Sequence, residues 1–274
     1  MSASQELLIK YDSLKLYLKK LEKVAVAYSS GVDSTFLLYA AIDSLGKANA
    51  IALTAESASF PVRENDESRA FCTDREIRQI IFEVKEVDEY FDNPVNRCYY
   101  CKKGIFSQMV EIAGAENIEY ILDGSNKDDD GDYRPGLKAI SELGIKSPLR
   151  ELGFTKQEIR DLSEHFGLPT WDKPSYACLA SRVPYGERIS DEKLHKIDEA
   201  EQYLIDLGFK QIRVRVHGDN LARIELDPDD FARFMQEDIR TNVYGRFREI
   251  GYTYISLDLK GYKMGNMNEE IKSL

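Results

Sequence analysis

Apolar positions recur every three or four residues through Leu7, Tyr11, Leu14, Leu18 and Leu21. That period predicts an amphipathic helix over residues 5–22. The pattern then changes. Val24-Ala25-Val26-Ala27 is an unbroken apolar run, which predicts a buried strand over residues 24–28. After a polar turn, residues 35–45 are strongly apolar and stop at Gly46, as a helix with a glycine end would. The alternation continues with strand 50–55, a charge-rich helix 61–78 opened by Pro61, strand 79–84, helix 99–113 and strand 119–124. Strands alternating with helices predict an α/β fold with a doubly wound parallel sheet. Residues 127–136 read as a polar loop and 147–182 as short helices among prolines. Past Val183-Pro184-Tyr185-Gly186 the order becomes helix 190–207, strands 211–217 and 221–226, helix 228–249 and strand 252–259. Two domains are expected: residues 1–182, and a smaller C-terminal α+β domain, 183–274, for substrate binding or oligomerisation.

Composition narrows the class of partner. The 274 residues are 43% hydrophobic, enough for a sizeable core. Against 37 basic residues stand 48 acidic ones, a formal charge of −11. Such a surface repels nucleic-acid backbones unless a local basic patch overrides it. No stretch approaches the roughly 20 apolar residues of a membrane span. The start, Met1-Ser2-Ala3-Ser4-Gln5-Glu6, has neither the basic nor the apolar region of a secretory signal. These features predict a cytoplasmic protein without nucleic-acid or membrane partners. Four cysteines do not make a disulfide scaffold at this size, and read instead as metal ligands or reactive thiols.

The first strand runs into Tyr28-Ser29-Ser30-Gly31-Val32-Asp33-Ser34-Thr35. This turn offers hydroxyls, a glycine that lets backbone approach a ligand, and N–H groups at a helix start. Those groups suit a phosphate or pyrophosphate. In such sheets ligands bind at the carboxyl ends of strands. The Ser29 loop, Thr54 to Ser57 and Asp123 to Asn126 all fall at such ends. The order Ser-(Gly/Ser)-Gly-x-Asp-Ser resembles the PP-loop of ATP pyrophosphatases, which cleave ATP between its α and β phosphates and adenylate a substrate. Ser30 stands where that motif usually has its first glycine. It is small and can donate a hydrogen bond, so the loop is expected to survive.

Cys98-Tyr99-Tyr100-Cys101 is a CxxC, and Cys178 follows 77 residues later. Two thiols at this spacing can reach one metal, and a third can arrive from a distant loop. Beside an adenylating loop they suit sulfur insertion: ATP turns an oxygen into a leaving group and a thiolate, persulfide or cluster sulfide delivers sulfur. Three thiolates on a 4Fe–4S cluster leave one iron open for an extra sulfide, which favours a cluster over zinc. Cys72 lies on the 61–78 helix without a partner and reads as structural.

Several runs together resemble one family, the LarE sulfur transferases, which build the nickel-pincer nucleotide cofactor. They are the Ser29–Ser34 loop, Cys98-Tyr-Tyr-Cys101-Lys102, Leu122-Asp123-Gly124-Ser125-Asn126-Lys127-Asp128-Asp129, Asp132-Tyr133-Arg134-Pro135-Gly136, Cys178-Leu-Ala-Ser181-Arg182-Val-Pro-Tyr-Gly186 and Arg213-Val-Arg215. The likeness covers about residues 10 to 267. It implies adenylation of a carboxylate of pyridinium-3,5-biscarboxylic acid mononucleotide, release of pyrophosphate, and replacement of carboxyl oxygen by sulfur. It also implies a symmetric homo-oligomer. Some members sacrifice the sulfur of a cysteine at the position of Cys178. Others carry three cysteines for a cluster fed by sulfide or another donor. With Cys98, Cys101 and Cys178 this chain looks like the second type.

The roles expected are these. Ser29, Ser30, Gly31 and Ser34 cradle the ATP phosphates, with Gly124 beside them. Asp33 acts through Mg²⁺ bound to pyrophosphate, since a carboxylate facing bare phosphates would repel them; its alternative is a helix cap. Asp128 or Asp129 holds the same ion, or belongs to a solvated acidic loop. Lys102 and Arg134 stabilise phosphate charge or place the substrate carboxylate, or form surface ion pairs. Arg213 and Arg215 share one face of their strand and form a fork for an anionic substrate, or pair with Glu201, Glu225 or Asp258. Arg182 joins that site or supports the Cys178 loop. Competing functions are a tRNA thiolase, an amide-forming ligase of the NAD or asparagine synthetase kind, and a non-catalytic nucleotide or metal binder.

Overall fold

The computed structural model describes residues 3–85, 87–130, 135–174 and 177–263. Along the chain run α1 (Gln5–Lys19), β1 (Val24–Ala27), α2 (Val32–Leu45), β2 (Ala50–Glu56), α3 (Val62–Asp74), β3 (Gln79–Glu83), the single turn α4 (Asp88–Phe91), α5 (Arg97–Ala115) and β4 (Tyr120–Leu122). Then follow α6 (Pro135–Glu142), α7 (Pro148–Glu151), α8 (Lys156–His165), α9 (Asp191–Asp206), β5 (Ile212–His217), β6 (Leu221–Leu226), α10 (Phe231–Phe234), α11 (Glu237–Ile250) and β7 (Tyr254–Leu257). They form two compact units. The first comprises Met1–Ser57, Val62–Val87 and Asn96–Tyr176, and the second Ala58–Pro61, Asp88–Val95 and Ala177–Leu274.

The first unit is the expected α/β sheet, four parallel strands in the order β3-β2-β1-β4. The chain passes from β1 to one side for β2 and to the other for β4, so a topological switch point lies between β1 and β4. Val26 pairs with Leu122, so the loops that leave β1 and β4 emerge side by side. The core explains the helix placement. Val24, Ala25 and Val26 are buried, and α2 buries Phe36, Leu37, Leu38, Ala40 and Ala41. On α1, Leu7, Tyr11, Leu14 and Leu18 face inward as their spacing predicted. Each fully buried leucine of this kind contributes about 1.5–3 kcal/mol.

In the second unit β5 and β6 are antiparallel and β6 and β7 parallel. Helix α9 packs on β5, with Leu194, Ile197, Ala200 and Leu204 buried, as are Ile212, Val214 and Val216. Residues 177–182, expected with the first domain, group with this second unit because Arg182 and Leu179 bury their side chains there.

Some boundaries differ from expectation for local reasons. Helix α3 stops at Asp74 because Glu76 takes a left-handed φ of 53°. The predicted helix 228–249 is interrupted at Gln236, whose ψ of 140° is extended, so α10 and α11 are separate. Pro135-Gly136, read as loop, opens α6 instead, consistent with the fitness of proline for a first helical turn. No helix among the described residues is long and apolar enough to cross a membrane.

Candidate active site

The turn after β1 is braced by its own hydroxyls. The Ser29 N–H donates to Ser34 Oγ at 3.3 Å, the two hydroxyls share a hydrogen bond of 3.1 Å, and Ser34 Oγ donates to the Gly31 carbonyl at 3.3 Å. Helix α2 starts on Gly31, which has no side chain to cap it, and its N–H groups lie at the end that favours an anion. Gly124 lies against this start. A Cβ there would stand 3.1 Å from the Ser34 nitrogen and 3.3 Å from Asp33 atoms, so the exit of β4 passes α2 at a distance that would crowd any side chain.

Ser30 is buried and has a φ of 51°. That left-handed conformation costs a residue with a Cβ roughly 1–2 kcal/mol. It explains physically why the related motif prefers glycine here. The Ser30 hydroxyl donates to the Glu64 carbonyl at 3.0 Å, and the Lys173 ammonium donates to the Ser30 carbonyl at 3.1 Å.

The Asp33 carboxylate accepts from Asn126 Nδ2 at 3.3 Å and forms an ion pair with Lys156. Lys156 is the first residue of α8, and its N–H donates to Asp128 Oδ2 at 2.8 Å. Asp129 Oδ2 accepts from the Asn126 N–H at 2.9 Å, closing a capping box around residues 126–129. Asp128 and Asp129 thus hold backbone in place, while Asp33, Asn126 and Lys156 form the polar group at the sheet edge. Sequence reasoning missed Lys156: one lysine in an amphipathic helix carries no motif, and Asp33 is 123 positions away. On α5, the Lys102 stem lies over Gly136, where an added Cβ would be 2.6 Å from Lys102 Cδ and 3.3 Å from the Cys98 carbonyl. Arg134 lies outside the described residues.

None of the four cysteines is in a disulfide. Cys98 and Cys101, partly exposed, are three residues apart on α5 and so share a face, a fit for two thiolate ligands. Cys72 is buried, and burial pushes its thiol up to about 12, which leaves it inert. Among the described residues no group of three or more His, Cys, Asp or Glu side chains is gathered as for a metal ion.

Cys178, partly exposed, precedes a tight turn over Leu179–Arg182. The Leu179 N–H donates to the Ser59 carbonyl at 2.8 Å. The Arg182 guanidinium donates to the carbonyls of Ala177 at 2.6 Å and Cys178 at 3.1 Å, and bonds Glu201 through two contacts of 2.8 and 2.7 Å. Both side chains of that pair are 0% exposed. Burial opposes the charge on each, but their attraction outweighs it: Arg182 is held above its ordinary value and Glu201 below. Arg215 pairs with Glu225 at 3.1 and 3.0 Å and donates to the Ser181 carbonyl at 2.7 Å. Arg213 donates to the Ile212 carbonyl at 2.6 Å and faces the Tyr262 ring at 4.8 Å. Burial, then the charge of Arg182, lowers its guanidinium. Arg182 thus contacts the Cys178 loop, and Arg215 pairs with Glu225. Arg223 joins Glu225, His217 and Asp258.

No family model matches the chain. An uncharacterised protein of Synechocystis sp. is 42% identical over 261 residues, 94% of this chain and 97% of that protein. A Lactiplantibacillus plantarum protein named pyridinium-3,5-bisthiocarboxylic acid mononucleotide synthase is 36% identical over 264 residues, 96% of this chain and 95% of that protein. The chain belongs to the LarE family. An uncharacterised protein of Methanocaldococcus jannaschii is 29% identical over 244 residues, 89% of this chain and 92% of that protein. With 96% of the chain aligned to the named LarE relative, the likeness is not confined to the phosphate-type loop.

Proposed function

We propose that this LarE-family chain is an ATP-dependent sulfur transferase that converts a carboxylate of pyridinium-3,5-biscarboxylic acid mononucleotide into a thiocarboxylate. The likeness to the named L. plantarum synthase over nearly the whole chain carries this reading. The braced loop at the switch point supports it. The ATP phosphates sit on Ser29, Ser30, Gly31 and Ser34, with the start of α2 favouring their charge. Asp33 would help hold a Mg²⁺ ion, which would offset the phosphate charge. A substrate carboxylate oxygen attacks the α-phosphorus, the bond to the bridging oxygen breaks, and pyrophosphate leaves. A sulfur nucleophile then attacks the activated carbon, and AMP departs with the carboxylate oxygen.

A 4Fe–4S cluster on Cys98, Cys101 and Cys178 would supply the sulfur; this assignment rests on the cysteine pattern and on the fit of the α5 thiol pair. Arg182 and Arg215 hold the turn beside Cys178, and Arg213 is the arginine proposed for the substrate anion. Lys102 and Arg134 are proposed for phosphate or carboxylate charge.

The test is pyrophosphate release from ATP and Mg²⁺, with and without the pyridinium mononucleotide. Release that needs the mononucleotide is expected, and Asp33→Asn should reduce it. Intact ATP in every mixture would instead leave a nucleotide or metal binder without catalysis.

A further inference from the structure

We infer that Lys173 is a positioning residue for the phosphate loop, holding Ser30 in a backbone conformation that glycine would adopt unaided. The inference rests on the nucleotide-binding reading of that loop.

Ser30 combines a φ of 51° with 1% exposure, so its strained conformation sits where solvent cannot relax it. Glycine has no Cβ to clash there and meets no such strain. A serine needs outside support, and Lys173 supplies a matched set of contacts. Its ammonium lies 3.1 Å from the Ser30 carbonyl and 3.3 Å from the Ser30 hydroxyl. Glu67 at 2.5 Å and Glu64 at 3.9 Å balance its charge, and the lysine side chain is 12% exposed. The hydroxyl in turn donates to the Glu64 carbonyl at 3.0 Å, which ties Ser30 to α3.

The base of the lysine is also fixed. Arg160 on α8 donates to the carbonyls of Trp171 at 2.6 Å and Lys173 at 2.7 Å, and the Lys173 N–H donates to the Thr170 carbonyl at 3.1 Å. An anchored backbone delivers the ammonium to one place rather than letting it range over the surface. The consequence follows from peptide planarity. In a trans peptide the C=O and the next N–H point in opposite directions. Holding the Ser30 carbonyl on Lys173 therefore turns the Gly31 N–H away from it. That N–H is one of the loop's backbone donors for phosphate. Lys173 thus orients a donor it does not touch.

The test compares wild type, Lys173→Met, Ser30→Gly and the double variant, by calorimetric binding of a non-hydrolysable ATP analogue with Mg²⁺. Lys173→Met should weaken binding about tenfold, or about 1.4 kcal/mol. In the Ser30→Gly background the same change should cost no more than about threefold, roughly 0.7 kcal/mol. In pyrophosphate release the loss should fall on KM for ATP rather than on kcat. Undiminished binding by Lys173→Met would overturn the inference. So would an equal loss in both backgrounds, which would mean that Lys173 merely neutralises Glu64 and Glu67. If Lys173→Met fails to fold while the double variant folds, the compensation is supported; if both fail, it is overturned. No binding by wild type would sink the nucleotide reading itself and the inference with it, a result distinct from the others.

Discussion

Two ion pairs in this molecule look alike on paper and differ in what they can do. Lys156 and Asp33, beside the Ser29–Ser34 loop, have side chains 28% and 23% exposed. Arg182 and Glu201, beside the Cys178 turn, are 0% exposed and joined by two parallel contacts. A partly exposed pair contributes about 0–1 kcal/mol, so opening it costs little. A buried pair cannot be opened this way, because each partner left alone is a desolvated charge. The difference separates residues that exchange ligands from residues that build the frame. On the proposed function Lys156 and Asp33 are expected in the first group and Arg182 in the second.

The sharpest way to break this comparison is Arg182→Met, which strands Glu201. It should destabilise the protein by about 3–5 kcal/mol, read from chemical denaturation. A variant of wild-type stability that had lost only substrate binding would return Arg182 to the anion site. Acid gives a second handle on the same pair. Burial raises the Glu201 carboxyl, but Arg182 leads the contacts that outweigh it and hold it below its ordinary 4.5. The stability this gives is therefore complete above the unfolded value and drains away as pH falls from near 4.5 through the lowered folded value. A flat stability profile across that window would contradict the pairing.

A smaller stability effect is expected at the exchangeable pair. Lys156→Ala should change stability by no more than about 1 kcal/mol, yet slow pyrophosphate release about tenfold through loss of a charge-assisted contact to phosphate. Stability loss without a rate effect would place Lys156 with the frame. The smallest effect concerns Cys72. Its thiol, pushed up to about 12, should resist alkylation of the native protein at pH 8, while Cys98, Cys101 and Cys178 react. Peptide mass mapping would show labelled Cys72 if that burial argument were wrong.

The same contrast explains what the sequence could reveal. The loop from Ser29 to Ser34 was legible because its hydroxyls, glycine and helix start are neighbours in the chain, and β1 and α2 flank it with clear apolar patterns. The strand–helix alternation likewise announced the parallel sheet. Lys156 and Lys173 were not legible, because each reaches the loop from far along the chain, and nothing local marks a lysine whose partner is a distant carboxylate or carbonyl. For the arginines the alternation on β5 was visible and Glu201, Glu225 and Asp258 were named as possible partners. Only burial decides the pairing, and burial belongs to the packed structure. The opening of α6 was hidden for a different reason: Pro135-Gly136 carries a turn signal, yet proline also starts helices.

The most direct test of the account is the mass spectrum of the pyridinium mononucleotide after incubation with anaerobically purified protein, ATP, Mg²⁺ and sulfide. The expected product is one in which sulfur has replaced a carboxylate oxygen, formed with one AMP and one pyrophosphate per sulfur inserted. A mononucleotide recovered unchanged while ATP is cleaved, or no cleavage at all, would contradict it.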